Sequence, residues 1–375
     1  MSMSAVEINA ISRRAKANVE TFLRRRQCTV ENIMRLVADQ YDHPVDLLFV
    51  STVANGLAGS TSDMDVVLIV EGDLPDERMA SMIFADGIRL GVTAYQDSEI
   101  LNAIDRLGSL CGLVPAAISA ARREWDRCER VPWMELERCI NGYSFQTSAR
   151  YANGLGPLAQ AAFALAIEQF RRAAVLAGLA ETSAESRAKL GYAIVAVRAL
   201  MDSILARTFR IHSNPKWVFE RWKIFEKDDG RSAVSGIAAE TSRYWRALRD
   251  CLAGNSGALP AQELFTLYHN SKVMFGTEVV EDLDPLRWRQ PTRFFPFLDD
   301  ASMAVAGDGR CTLVEIKDEK DLAGFSLGEA LKISPGHARS ILSLMRASLI
   351  DVPLDQTCFL LPAHAGPANE AVCVA

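Results

Sequence analysis

Residues 51–70 read STVANGLAGSTSDMDVVLIV. The run Val66 to Val70 is apolar and β-branched, the composition of a buried strand. A second such run, VDLLFV at 45–50, precedes it, and small residues with hydroxyls join the two. Successive strand side chains alternate sides, so Asp63 and Asp65 project from one face at the start of the second strand. A pair of hard oxygen ligands at a strand end suits Mg²⁺ held against substrate phosphates. In the loop before them, backbone N–H groups and hydroxyls can approach a polyphosphate closely.

Working outward, IRLGVTAY at 88–95 is a third β-rich run, and the stretch around 77–84 reads as a helix between strands. Residues 4–40 carry apolar positions such as Ile8, Ile11, Val19 and Phe22 among many charges, which fits one or two amphipathic helices. Beyond residue 97, apolar periodicity of the helical kind takes over at 100–124, 158–178, 185–209, 233–253 and 261–274. The pattern changes again at 294–316, where two apolar runs flank Gly307-Asp308-Gly309, a hairpin signal. Two short helices follow. Ser326 with Glu329 fits a capping box, and Ser334 before Pro335 fits an N-cap with proline at the first helical position. Helix, sharp turn and helix beside a hairpin is winged-helix composition.

The stretch 51–70 resembles the signature of the polymerase-beta-like nucleotidyltransferase superfamily: a Gly-Ser pair, about ten residues, then Asp-x-Asp on the next strand. Aligning the pair with Gly59-Ser60 leaves no room for the short helical turn that the family places there. Aligning it with Ser51-Thr52 leaves residues 53–62 between and puts Ser51 where the family has glycine. The resemblance then implies that Asp63 and Asp65 are catalytic and hold Mg²⁺, and that Ser51, Thr52 and Ser62 contact a nucleoside triphosphate. The family carries a third carboxylate on a later strand, where Gly91 stands in RLGVTAY. Asp86, Asp97 and Glu99 flank that strand as possible substitutes. Several members add a helical bundle with an aromatic, Pro-Lys-Trp turn, similar to Phe209 to Phe219 here, so that Lys216 reaches a phosphate across an interdomain cleft or covers Trp217 with its aliphatic stem.

Composition bounds the function. With 375 residues, two or three domains are expected. Lys and Arg number 41 against 47 Asp and Glu, a formal charge of -6, so nucleic acid would need a local basic patch. RWRQPTRFF, with Arg287, Arg289 and Arg293 among aromatics, is one such cluster, but the last helix offers His337, Arg339 and Arg346 alone. The winged-helix-like unit is therefore read as a surface for protein contacts or substrate positioning. The eight cysteines show no CxxC pair and read as reduced and mostly buried. His43, His212, His269, His337 and His364 lack metal-ligand spacing and read as structural, with His269 an outside candidate for a base. No secretory or membrane-spanning pattern is evident, so a cytoplasmic, soluble protein is expected.

The expectation is an α/β nucleotidyltransferase-like domain at 1–100, a mostly α-helical domain at 101–285, a winged-helix-like unit at 286–352 and a tail at 353–375. The expected function is Mg²⁺-dependent transfer of a nucleoside monophosphate from a nucleoside triphosphate to a small-molecule acceptor. A catalytically degenerate nucleotide-binding or protein-interaction module, or an RNA- or tRNA-directed transferase, are the alternatives.

Overall fold

A computed structural model describes residues 5–38, 41, 44–59, 61–71, 80–85, 88–113, 115–228, 235–254, 263, 264, 266, 267, 270, 287, 288, 291–298, 301–315 and 334–351. The chain is mixed α/β and divides into two compact units. Unit 1 comprises Met1–Leu113, Ala117–Phe163 and Leu205–Asp228; unit 2 comprises Val114–Ala116, Ala164–Ile204 and Asp229–Ala375. The sheet unit thus recruits helical segments expected in a separate domain after residue 100. Among the described residues no helix is long and apolar enough to cross a membrane.

In unit 1, α1 (Ala5–Arg25) and α2 (Val30–Ala38) precede the sheet. Val19, Phe22, Leu23, Ile33 and Val37 bury their apolar stripes in the same cluster as the sheet residues Leu47, Phe49, Val66 and Leu68. Each such side chain contributes about 1.5–3 kcal/mol of transfer free energy. The strands are β1 (Pro44–Phe49), β2 (Met64–Val70), β3 (Ala80–Ala85), β4 (Ile88–Gln96) and β5 (Tyr143–Ser144), in the order β3-β4-β2-β1-β5. β2 and β4 are parallel, with Asp65 opposite Gly91, and the other pairs are antiparallel. The helix expected around 77–84 is instead strand β3 over its described part. Met82 and Phe84 are exposed while Ile83 between them is buried, a two-residue alternation that only an extended chain produces.

A single helical turn, α3 (Ser51–Ala54), follows β1. After β4 come α4 (Asp97–Ser109), α5 (Pro115–Cys128) and α6 (Trp133–Asn141). Helix α6 buries Trp133, Leu136, Cys139 and Ile140. Two long helices, α7 (Leu155–Thr182) and α8 (Ser186–Arg207), are followed by a 3₁₀ turn at Pro215–Trp217 and α9 (Val218–Asp228).

Unit 2 contains α10 (Ser235–Leu252), the two-residue strand β6 (Arg287–Trp288), a meander of β7 (Thr292–Leu298), β8 (Ala301–Ala306) and β9 (Cys311–Val314), then α11 (Pro335–Arg346) and β10 (Ile350–Asp351). The expected hairpin at Gly307-Asp308-Gly309 joins β8 to β9, and Gly309 takes a left-handed φ of 85°. Ser334 caps α11 by accepting from the His337 N–H, with Pro335 in the first turn, as its sequence indicates. The Ser326/Glu329 box, Arg289, His43, His269, His364 and Asp86 lie outside the described residues.

The cysteines depart from expectation. Cys28 and Cys139 are buried, but Cys111, Cys128 and Cys311 are exposed. Each of these three stands on a turn, a helix end or a sheet face that packing leaves uncovered.

Candidate functional site

The site begins where β1 ends. The Val50 N–H donates to the Asp65 carbonyl at 3.2 Å, and Ser51 then turns the chain with φ 55°, a left-handed conformation that favours glycine. The Asn55 amide donates to the Ser51 carbonyl at 2.8 Å, and the backbone N–H of Leu57 to the Thr52 carbonyl at 2.8 Å, which closes the loop on itself. Asn18 of α1 donates to the Ala54 carbonyl at 2.9 Å, and Arg26, in the turn just past that helix, donates to the Ser62 carbonyl at 2.6 Å. These contacts set the position at which the chain enters β2.

Asp63 and Asp65 flank Met64, whose side chain turns into the core at 2% exposure. Asp63 pairs with Arg89 of β4 at 3.3 Å, an ion pair in which both side chains are about half exposed. Such a pair is worth under about 1 kcal/mol and yields readily to a ligand. The Asp65 carboxylate has no hydrogen-bond or ion-pair partner among the described residues. Gly91 lies beside it in register, and a Cβ at Gly91 would stand 3.0 Å from Asp65 Oδ1.

Helix α6 supplies a second wall. Met134, Glu137, Arg138 and Asn141 follow the i, i+3, i+4, i+7 spacing of one helix face. Glu137 is buried at 6% exposure and accepts from the Ser213 N–H at 2.7 Å and from the Ser213 hydroxyl. Burial pushes its carboxyl above the usual range, against the pull of both Ser213 donors. Arg138 pairs with Glu135 at 2.6 Å, and Asn141 donates to the Ile211 carbonyl at 3.4 Å.

The third wall is the turn at 209–217. Phe209 takes φ 55°, and the Arg221 guanidinium ties down the Arg210 carbonyl at 2.7 Å. His212 Nδ1 accepts from the Asn214 N–H at 3.1 Å, which leaves the imidazole proton on Nε2. Burial, then Arg221, Arg138 and Lys216, push its pKa down to about 3, so the ring is neutral at ordinary pH. Asn214 Oδ1 accepts from the Lys216 N–H at 3.2 Å, and Lys216 Nζ lies 5.1 Å from the Trp217 ring centroid.

These three walls, all in unit 1, enclose a cavity of about 430 Å³. That is the size of a small-ligand site. Ser51, Thr52, Ser62, Asp63, Asp65 and Lys216, the candidates named from sequence, all line it. Lys216 reaches it from within the same unit as the sheet. The sequence reading missed Glu137, Arg138, Asn141 and Asn55, and it treated His212 as structural, whereas His212 lines the cavity too. The wall carries the carboxylates of Asp63, Asp65 and Glu137 and the cations of Arg89, Arg138 and Lys216.

Neither described substitute for a third carboxylate reaches this place. Asp97 accepts from Arg150 at 3.1 Å and from the Tyr151 hydroxyl at 2.8 Å. Glu99 accepts from the Gln96 N–H at 3.1 Å and pairs with Arg130 at 3.0 Å. Both lie past the far end of β4, and a strand rising about 3.3 Å per residue sets Asp97 roughly 20 Å from Gly91. Among the described residues, no group of three or more His, Cys, Asp and Glu side chains is placed to hold a metal ion.

Residues 6–353 match a family of unknown function, DUF6001. The chain belongs to that family. No curated protein matches the chain. In this DUF6001 member the cavity itself is the guide to chemistry.

Proposed function

We propose that the unit 1 cavity binds a nucleoside triphosphate together with Mg²⁺, as a polymerase-beta-like nucleotidyltransferase site, for transfer of a nucleoside monophosphate to a small-molecule acceptor. The observation that carries this reading is Asp65, a carboxylate without a partner among the described residues, sharing a cavity with Asp63 and, on the facing wall, Lys216. The family alignment gains support from Ser51, whose left-handed φ of 55° suits the glycine that the superfamily has there, and from the helical turn that starts at Ser51. The residues present fit the cation, because Mg²⁺ takes one or two carboxylates and completes its shell with phosphate oxygens and water.

Asp63 and Asp65 would hold Mg²⁺, which when bound supplies charge neutralisation at the phosphates. Thr52 and the loop at 51–62 bring a hydroxyl and backbone donors to the triphosphate. Lys216 and Arg138 place positive charge across the cavity, where transferring phosphoryl groups accumulate negative charge. In the transfer, an acceptor hydroxyl oxygen forms the new bond to the α-phosphorus, its proton passes to solvent water, and the bond from the α-phosphorus to the α–β bridging oxygen breaks, so that pyrophosphate leaves. The C-terminal meander with α11 is read as winged-helix-like and as a protein-contact surface, since Arg339 and Arg346 are engaged by Glu315 and Glu185.

A second reading, nucleotide binding without turnover, is favoured by Gly91. The superfamily's third carboxylate has no counterpart there, and Glu137, the remaining carboxylate of the wall, has both oxygens occupied by Ser213. Isothermal titration with each of the four nucleoside triphosphates, with and without Mg²⁺, tests the binding reading. At least one should bind in a Mg²⁺-dependent way and weaken by about tenfold or more in Asp65→Asn and in Lys216→Met. Absence of Mg²⁺-dependent binding for all four would refute both readings. Pyrophosphate release, lost in Asp65→Asn, selects the transferase; binding with no release selects the sensor.

A further inference from the structure

The wall of the unit 1 cavity is polar almost throughout. Among the described residues that line it, Met134 and Trp217 are the two apolar side chains. They stand on different walls, Met134 in the first turn of α6 and Trp217 at the end of the 3₁₀ turn before α9. Neither serves to fill the core. Helix α6 gives Trp133, Leu136, Cys139 and Ile140 to the interior, while Met134 shares the cavity face with Glu137, Arg138 and Asn141 and is 44% exposed. In the Pro215–Trp217 turn no side chain is buried.

Apolar surface left in water costs free energy in proportion to its area, and two such side chains in one polar cavity mark where a ligand is itself apolar. Indole offers a flat π-face. The methionine thioether is flexible and polarizable, so it adapts its shape to a ring and makes favourable sulfur–aromatic contacts. The rest of the wall, with Asp63, Asp65, Arg138 and Lys216, is built for charge. A ligand that matches both parts joins a polyanion to a flat heterocycle.

The Trp217 ring already has an occupant, since Lys216 Nζ lies 5.1 Å from its centroid. A solvent-exposed cation–π contact is weak beside a charge-assisted bond from an ammonium to a phosphate. Turning Lys216 to a phosphate therefore frees the ring face that it covers. We infer that Met134 and Trp217 hold the nucleobase of the bound triphosphate, Trp217 by stacking on the face that Lys216 gives up and Met134 by packing from the α6 wall. This rests on the reading of the cavity as a triphosphate site, and it adds which residues take the base and how base and phosphate binding are linked through Lys216. Stacking accepts every base, because each has a π-face.

Calorimetric titration of the full chain in Mg²⁺ compares the tightest-binding of ATP, GTP, CTP and UTP with inorganic tripolyphosphate, which carries phosphates and no base. In the parent the nucleotide should bind about tenfold tighter than tripolyphosphate, the factor that a stacked base contributes. Met134→Ala and Trp217→Ala should each weaken the nucleotide by about three- to tenfold and leave tripolyphosphate within about twofold. Trp217→Phe, which keeps a ring, should recover most of that loss. Unchanged tripolyphosphate affinity shows at the same time that the variants keep their fold. A parent that binds both probes equally, alanine variants that lose no nucleotide affinity, or an equal loss for both probes overturns the base site and leaves the triphosphate reading standing. A parent that binds neither probe removes the triphosphate reading, and the base site with it.

Discussion

Replacing Glu137 tests how the cavity is held together. This carboxylate of α6 receives two donors from Ser213, and through them fixes the turn that carries His212, Asn214 and Lys216. In Glu137→Ala the Ser213 N–H and hydroxyl lose their acceptor in a buried place. Orphaning a buried donor costs about 1–3 kcal/mol, so the pair should cost roughly 2–5 kcal/mol. For a unit of about 150–250 residues that lowers Tm by roughly 5–15 °C. Glu137→Gln keeps an accepting oxygen and removes the buried charge, so near neutral pH it should stay within about 1 kcal/mol of the parent. The pH profile separates the two effects. Burial holds the Glu137 carboxyl above its ordinary 4.5, so its contribution to stability is fully present below 4.5 and is lost as pH rises through the raised value. Thermal melts from pH 4 to 9 should therefore show an alkaline decline in the parent that Glu137→Gln reduces. An Ala variant as stable as the parent, or a Gln variant with the parent's slope, would refute the reasoning.

Three further outcomes are expected. His212, pushed down to about 3, favours folding in its neutral form, so that stability is fully present above its ordinary 6.5 and falls as pH drops towards 3. Melts of His212→Gln should lose that acid slope, and nitrogen-15 NMR should show a bare Nδ1 and no titration between pH 5 and 8. Gly91→Asp sets a new Cβ 3.0 Å from Asp65 Oδ1, so without cation it should destabilise by roughly 1–3 kcal/mol, while Mg²⁺ should raise its Tm more than the parent's. Equal Mg²⁺ shifts in calorimetry would count against a cation beside Asp65. Ser51→Gly should raise Tm by a few degrees, because it relieves a left-handed φ of 55° that costs an L-residue about 1 kcal/mol. A fall in Tm would mean that the Ser51 side chain contributes more than the strain.

Local signals were legible wherever a residue's role depends on its near neighbours. The strands around Leu47, Val66 and Val92 announce themselves as β-branched runs, and the Ser334-Pro335 cap needs four residues of sequence. β3 is misread because Met82 and Phe84, being exposed, weaken the apolar alternation. α6 was passed over although Trp133, Leu136 and Ile140 carry helical spacing, because its other face is polar and lines the cavity. Glu137 and Ser213 stand 76 positions apart, a separation at which periodicity carries no information.

By itself the sequence determined a strand, a hydroxyl-rich loop and a second strand that carries Asp63 and Asp65 on one side, because strand alternation is a property of the backbone. Tertiary structure alone decided that α6 and the 209–217 turn close over that pair and that Asp65 stands opposite Gly91. Those contacts join residues far apart along the chain, and they exist because burying the far side of each element leaves these polar faces turned towards one another.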